Sequence, residues 1–299
     1  MLKREKPITG QIAGLFFQLT AVPDDCPDST PVLLLPGLLS DGRQLQRLAR
    51  LLRRSVLLVD PLGSGRSEAP TEAAAYDFSA QRERLLTLLS TLSLPQVDCA
   101  GFSMGGMWAQ HALVSAPQQF RHVALVATTA TVDPRLRAIV ESLLALHRSD
   151  VPRATLLRTL HVLCFSARFL EPPSILPMLD ALSDGQSHRE DAVQGQLQAI
   201  IAHDLSRQLA HRFGPGCPPD AAKTCAVIAG SEDFLMPPTQ QANLAKLVGQ
   251  PAPVLIPSVG HALWIECPDL LANALRHAMP LRTASSPPKR SDGGSPSSD

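Results

Sequence analysis

Short apolar runs, each closed by glycine or proline, alternate along this chain with longer stretches whose leucines recur at helical spacing. Residues 31–37, Pro-Val-Leu-Leu-Leu-Pro-Gly, predict a buried strand ending in a loop. Gln44 to Arg54 then sets Leu45, Leu48, Leu51 and Leu52 along one helical face. Residues 55–60 read as a second buried strand, and Phe78 to Leu92 as a helix with leucines at 85, 88, 89 and 92. The run Val97 to Gly101 leads through Phe102-Ser103-Met104 into a helix from Gly105 to about Ser115, and Val123 to Val126 is a further buried strand. Strands that are apolar throughout and alternate with helices predict a parallel sheet covered on both faces.

The rhythm changes near Thr131. Up to about Ala222 the pattern is helical, in patches at Leu136 to Leu146, Ala154 to Phe169 and Ala192 to Phe213, with Pro152, Pro172, Pro173 and Pro177 as punctuation. Strand-and-helix alternation then resumes: Cys225 to Gly230, a helix over Thr239 to Val248, Pro253 to Ile256, and a last helix from Asp269 to Met279 that Pro280 stops. The organisation expected is an α/β core in two parts, 1–130 and 223–282, interrupted by a helical cap over 131–222. Residues 283–299, rich in Ser, Pro and Gly, are expected to be a disordered tail. Basic residues ahead of an apolar stretch give residues 1–20 the outline of a secretory leader. Gln11 and Gln18 interrupt it, however, and no small-residue cleavage site follows cleanly, so the segment reads as a first strand.

Composition narrows the function. Lys plus Arg and Asp plus Glu are 27 each, so the chain has no bulk field for nucleic acid or an acidic membrane. A small molecule held in a pocket is the expected partner. No apolar run reaches the ~18 residues a spanning helix needs. The six cysteines form no C-x-x-C pair and suggest no metal site; they read as reduced and structural, which favours a cytoplasmic location.

Gly101-Phe102-Ser103-Met104-Gly105 matches G-x-S-x-G and has the required context, a strand before and a helix after. On so tight a turn the residues two before and two after the serine must be tiny, and the hydroxyl is pushed out at the end of the sheet. The Met104 N–H then faces the space where an oxyanion would form. Serine needs a base to act as a nucleophile. Of nine histidines, His261 alone sits in a loop just beyond a strand, where α/β folds place ligand chemistry. Asp233, also just past a strand and 28 residues earlier, is the candidate to orient it; Glu232 and Asp133 are rival acids. The chain order Ser, Asp, His is the one this architecture uses. A second oxyanion donor is expected from the loop after the first apolar strand, with Leu38 N–H as candidate.

Five landmarks in order resemble the α/β-hydrolase superfamily over about residues 10–282: Leu35 to Leu38, Asp60 to Ser67, Gly101 to Gly106, Gly230 to Asp233 with Pro237, and Gly260-His261 with Glu266 and Pro268. Within it, Ser-Met-Gly-Gly-Met and Ala202-His203-Asp204 look most like compact esterases and enol-lactonases, with cofactor-free perhydrolases also similar. The resemblance implies a mostly parallel sheet with helices on both faces and a cap. It implies a serine hydrolase of esters, lactones or thioesters acting through Ser103, His261 and Asp233, with scaffolding roles for Asp60 and Arg66 and no metal or organic cofactor. C–C bond cleavage, acyl transfer or perhydrolysis on the same residues, and a non-catalytic receptor, are the alternatives. Pro36 stands where many members carry His in the first loop, and Ser103 argues against the epoxide- and halide-processing members, which use Asp there.

Overall fold

A computed structural model describes residues 6–184, 189–214, 217 and 225–282. The tail at 283–299 lies outside the described residues. The chain opens on a hairpin, β1 (Ile8–Ile12) and β2 (Leu15–Leu19), where the sequence predicts one strand. Ala13 and Gly14 both take the left-handed region, at φ 51 and 81, which reverses the chain in two residues. Then follow β3 (Val32–Leu35), α1 (Gln46–Leu52), β4 (Val56–Val59), α2 (Phe78–Thr91), β5 (Val97–Phe102), α3 (Met104–Ser115) and β6 (Phe120–Val126). A helical stretch comes next: α4 (Pro134–Arg148), α5 (Arg153–Cys164), α6 (Ala167–Leu170), α7 (Ile175–Asp184), α8 (Glu190–Ile201) and α9 (Ser206–Phe213). The chain closes with β7 (Cys225–Gly230), α10 (Pro238–Leu247), β8 (Val254–Ile256), α11 (Leu263–Glu266) and α12 (Pro268–Ala278).

The strands form one eight-stranded sheet in the order β1-β2-β4-β3-β5-β6-β7-β8. The β1–β2 and β2–β4 pairs are antiparallel; all others are parallel. Alternation along the strands separates two apolar layers. Leu33, Leu35, Cys99 and Leu125 pack with α2 and α3 on one face, whereas Val32, Leu34, Ala100 and Val126 pack with α1 and α12 on the other. Because β4 lies on one side of β3 and β5 on the other, the loops leaving β3 and β5 diverge at the sheet's carboxyl end, the crevice where such sheets bind ligands.

The sequence pattern misses α7. Pro177 reads as punctuation but is the third residue of the helix, where its missing N–H has no partner to lose. The patch Ala154 to Phe169 is two helices, broken at Phe165 and restarted by Ser166, whose hydroxyl accepts from Phe169 N–H at 3.2 Å. Among the described residues no helix is long and apolar enough to cross a membrane.

Candidate functional site

Ser103 joins β5 to α3 with φ 52 and ψ −118, a strained backbone for a residue bearing a side chain. Its surroundings enforce that turn. A Cβ on Gly101 would stand 2.5 Å from Gly105 O, and one on Gly105 would stand 2.0 Å from Leu35 O, so strand, turn and helix close only on glycine. Ser103 N–H donates to Val126 O at 2.9 Å, and the Thr128 hydroxyl donates to Ser103 O at 2.8 Å. Sequence reasoning missed Thr128, which acts only through the fold.

Met104 is the first residue of α3, so its N–H has no acceptor within the helix. The loop after β3 runs directly alongside: a Cβ on Gly37 would lie 3.3 Å from Ser103 Cβ. Among the described residues neither Leu38 N–H nor Met104 N–H donates a hydrogen bond, and Leu38 and Ser103 line one cavity. Asp60 braces this loop. Its carboxylate accepts from Gly42 N–H at 2.8 Å and Arg66 N–H at 2.9 Å, while its carbonyl accepts from the Ser67 hydroxyl. Arg66 lies 3.6 Å over the Phe16 ring.

His261 and Asp233 are both buried and joined by an Nδ1–Oδ2 hydrogen bond of 2.9 Å. The second Asp233 oxygen accepts from Met236 N–H at 2.8 Å. The carboxylate therefore fixes its own loop and the imidazole together. The rivals are placed otherwise. The Glu232 side chain is exposed, and Asp133 caps α4 through Leu136 N–H at 2.7 Å and bonds the Gln240 side chain. Among the described residues no hydrogen bond joins Ser103 to His261; the two meet as walls of the same cavity of about 970 Å³.

The helical stretch holds the histidine loop directly. Cys164 O, at the end of α5, accepts from His261 N–H at 2.7 Å and Ala262 N–H at 3.0 Å. Glu266 bonds both sides of this junction. It accepts from Gly260 N–H at 3.0 Å, Ser166 N–H at 3.0 Å and the Ser166 hydroxyl at 2.7 Å. The fit is tight, since a Cβ on Gly260 would lie 2.6 Å from Ser166 N and 2.8 Å from Cys164 O. Burial pushes the Glu266 pKa up, although the Ser166 and Gly260 bonds favour the anion. The sequence marks Glu266 only as a landmark; its partner Ser166 is 100 residues away and carries no local signal.

A second link lies between α8 and α9. His203 Nε2 bonds Thr129 O at 3.0 Å, and His203 Nδ1 bonds His111 Nε2 at 3.3 Å. Since Thr129 O can only accept, His203 carries its proton on Nε2, and Nδ1 accepts from His111. Burial, with the mutual repulsion of the pair, lowers His111 to about 3; burial likewise lowers His203 to about 4 against the pull of Thr129 O. Both stay neutral near pH 7 and serve as a seam between α3 and the helical stretch.

The family model for the alpha/beta hydrolase fold matches residues 30–268. The chain belongs to that family, a class of hydrolases. The chain is 31% identical over 111 residues to a Bacillus subtilis (strain 168) protein provisionally named 2-succinyl-6-hydroxy-2,4-cyclohexadiene-1-carboxylate synthase, a match spanning 36% of this chain and 40% of that one. A Caulobacter sp. (strain K31) protein provisionally named carbamate hydrolase RutD is 23% identical over 272 residues, 87% of this chain and 94% of that one. Among solved structures, the enol-lactonase from Burkholderia xenovorans LB400 superposes with a TM-score of 0.74 at 21% identity, covering 90% of this chain and 98% of that one. At that identity the likeness is one of fold.

Proposed function

We propose that the protein is a serine hydrolase that cleaves a carboxylic ester, lactone or thioester of a small molecule through an acyl-enzyme on Ser103. The observation that carries this reading is the buried 2.9 Å bond between His261 Nδ1 and Asp233, in a cavity whose wall includes Ser103 on its strained turn. With Nδ1–H directed to Asp233, the imidazole keeps Nε2 as its acceptor.

The steps follow. Ser103 Oγ attacks the acyl carbonyl as His261 Nε2 takes its proton, and Leu38 and Met104 N–H receive the oxyanion. His261 then protonates the leaving oxygen or sulfur, and the acyl group stays on Ser103. Water attacks the acyl-enzyme as His261 takes its proton; the acyl–Oγ bond then breaks, Ser103 Oγ recovers the proton from His261, and the acid is freed. Serine–imidazole contacts tighten as substrate binds, and Ser103 and His261 share the wall of one cavity. The lactonase and carbamate hydrolase names among the relatives accord with acyl transfer to water. Helices α4–α9 act here as a cap over the cavity.

A fluorophosphonate probe tests the reading. Native protein should be labelled and should hydrolyse p-nitrophenyl acetate; Ser103→Ala should do neither. An unlabelled native protein would favour the non-catalytic receptor. Product analysis would separate hydrolysis from C–C cleavage, acyl transfer or perhydrolysis.

A further inference from the structure

We infer that the acyl group accepted at this site is a medium-length, apolar and uncharged chain, an inference that rests on the serine-hydrolase reading above. Size is the first argument. At about 970 Å³ the cavity is at the upper end of the range for small-molecule sites, roughly 300–1,000 Å³. An acetyl group or a small lactone ring would leave most of it unfilled.

The lining is the second argument. One wall comes from α4 and α5, with Leu136, Ile139, Val140, Leu143, Leu157 and Leu160. A second comes from α6, α7 and α11 and the turn before α6, with Phe165, Phe169, Ile175, Leu179 and Trp264. The first set belongs to the apolar layer of α2 and α3, the second to that of α1 and α12. The cavity thus runs along the seam between the protein's two hydrophobic layers, with Ser103 and His261 on its wall.

Charge is the third argument. The cations on the lining are Arg43 and Arg47, with side chains 52% and 66% exposed, so both stand at the mouth. Each already has an acid: Arg43 grips both Asp41 oxygens, and Arg47 bonds Asp269 at 3.0 Å. His161 also lines the cavity, and burial lowers its pKa despite Asp180, which keeps it neutral near pH 7. The Glu266 carboxylate is taken up by Gly260 and Ser166. A carboxylate or ammonium on the far end of the acyl chain would be stripped of water with no counter-charge to meet it, which is strongly unfavourable.

The test compares p-nitrophenyl esters from acetate to dodecanoate, with the mono-p-nitrophenyl ester of octanedioic acid as the charged counterpart of the octanoate. Each buried methylene should raise kcat/KM by about threefold to fourfold until the chain fills the cavity. Six methylenes separate octanoate from acetate, worth roughly 700- to 4,000-fold if all are buried, and octanoate should exceed acetate by at least about tenfold, with the optimum beyond butanoate. The octanedioate ester should fall about 100-fold below octanoate, the order expected for an uncompensated buried charge. A profile that is flat or falls from acetate, or an octanedioate ester that matches octanoate, overturns the inference while fluorophosphonate labelling of Ser103 leaves the hydrolase reading intact. Absence of both labelling and turnover overturns the two together.

Discussion

Replacing Glu266 with alanine asks whether the helical stretch between β6 and β7 takes part in aiming His261. The side chain supplies three acceptor contacts, to Gly260 N–H, Ser166 N–H and the Ser166 hydroxyl. A hydrogen bond to a charged group contributes about 1.5–3 kcal/mol. Three would sum to several kcal/mol, but burial of the carboxylate offsets part of that, as the upward push on its pKa shows. Truncation strands two amides in a half-buried site, so a net loss of about 2–4 kcal/mol is expected, enough to lower stability but not to unfold a typical domain. The kinetic effect has a separate origin, the aim of the imidazole. Gly260 precedes His261, and a displacement of the imidazole by about 1 Å can cost roughly 100-fold in rate. The Glu266→Ala variant should therefore lose about 10- to 100-fold in kcat on an ester substrate with KM little changed. Glu266→Gln, whose carbonyl oxygen can still accept from both amides, should recover most of it. Steady-state hydrolysis, measured well below each variant's melting temperature and paired with thermal unfolding, separates the two effects. A destabilised alanine variant with undiminished kcat would refute the reasoning and leave Glu266 a staple of the scaffold alone.

Two other outcomes are expected. His111 and His203 titrate near 6.5 when unfolded but at about 3 and about 4 when folded, so below pH 6.5 the unfolded chain gains protons first. The stability they confer is complete above pH 6.5 and drains as pH falls toward 4; His161, lowered by burial, adds in the same direction. Urea unfolding should show a loss of about 1–3 kcal/mol for the pair between pH 6.5 and 5.5, and His111→Gln/His203→Gln should flatten that slope; an unchanged slope would assign it elsewhere. At the opposite end of the sheet, Asp98 binds Arg54 and Arg121 at 2.5 Å each and His122 at 2.9 Å, and although burial works to raise its pKa, these partners together hold it at about 2. Asp98→Asn leaves two buried guanidiniums with one carboxylate, Asp28, and should cost about 3 kcal/mol by chemical denaturation. Activity per folded molecule should stay at the native level, and a fall would show that strain there reaches the cavity.

What the sequence makes legible is whatever a local pattern controls. Apolar runs mark β3, β4 and β7 and the parts of β5 and β6 beyond Asp98 and His122, because a strand stretch covered on both faces has no polar position to interrupt it. The turn at Ser103 is legible because steric closure demands glycine at 101 and 105, whose carbonyl and Cα neighbours leave no space for a side chain. The pairing of Asp233 with His261 is suggested by position beyond two strands, and it is a 2.9 Å contact in the structure. Besides Thr128 and Ser166, three things escape. Ala13 carries no sign that it will take φ 51 and split the first strand, since that turn usually recruits Asn or Asp. Pro177 reads as a stop yet sits in the first turn of α7. The hold of Cys164 on the histidine loop runs through a backbone carbonyl, which every residue type possesses.

That last contact has a consequence for how such a molecule can be altered. The grip on His261 and Ala262 is exerted by a peptide oxygen, so it makes no demand on which side chain residue 164 displays. Side chains on the same helices line the cavity that Ser103 and His261 share. Redesign of the chamber for a different guest could thus proceed by exchanging those side chains while the anchor of the His261 loop stays in force.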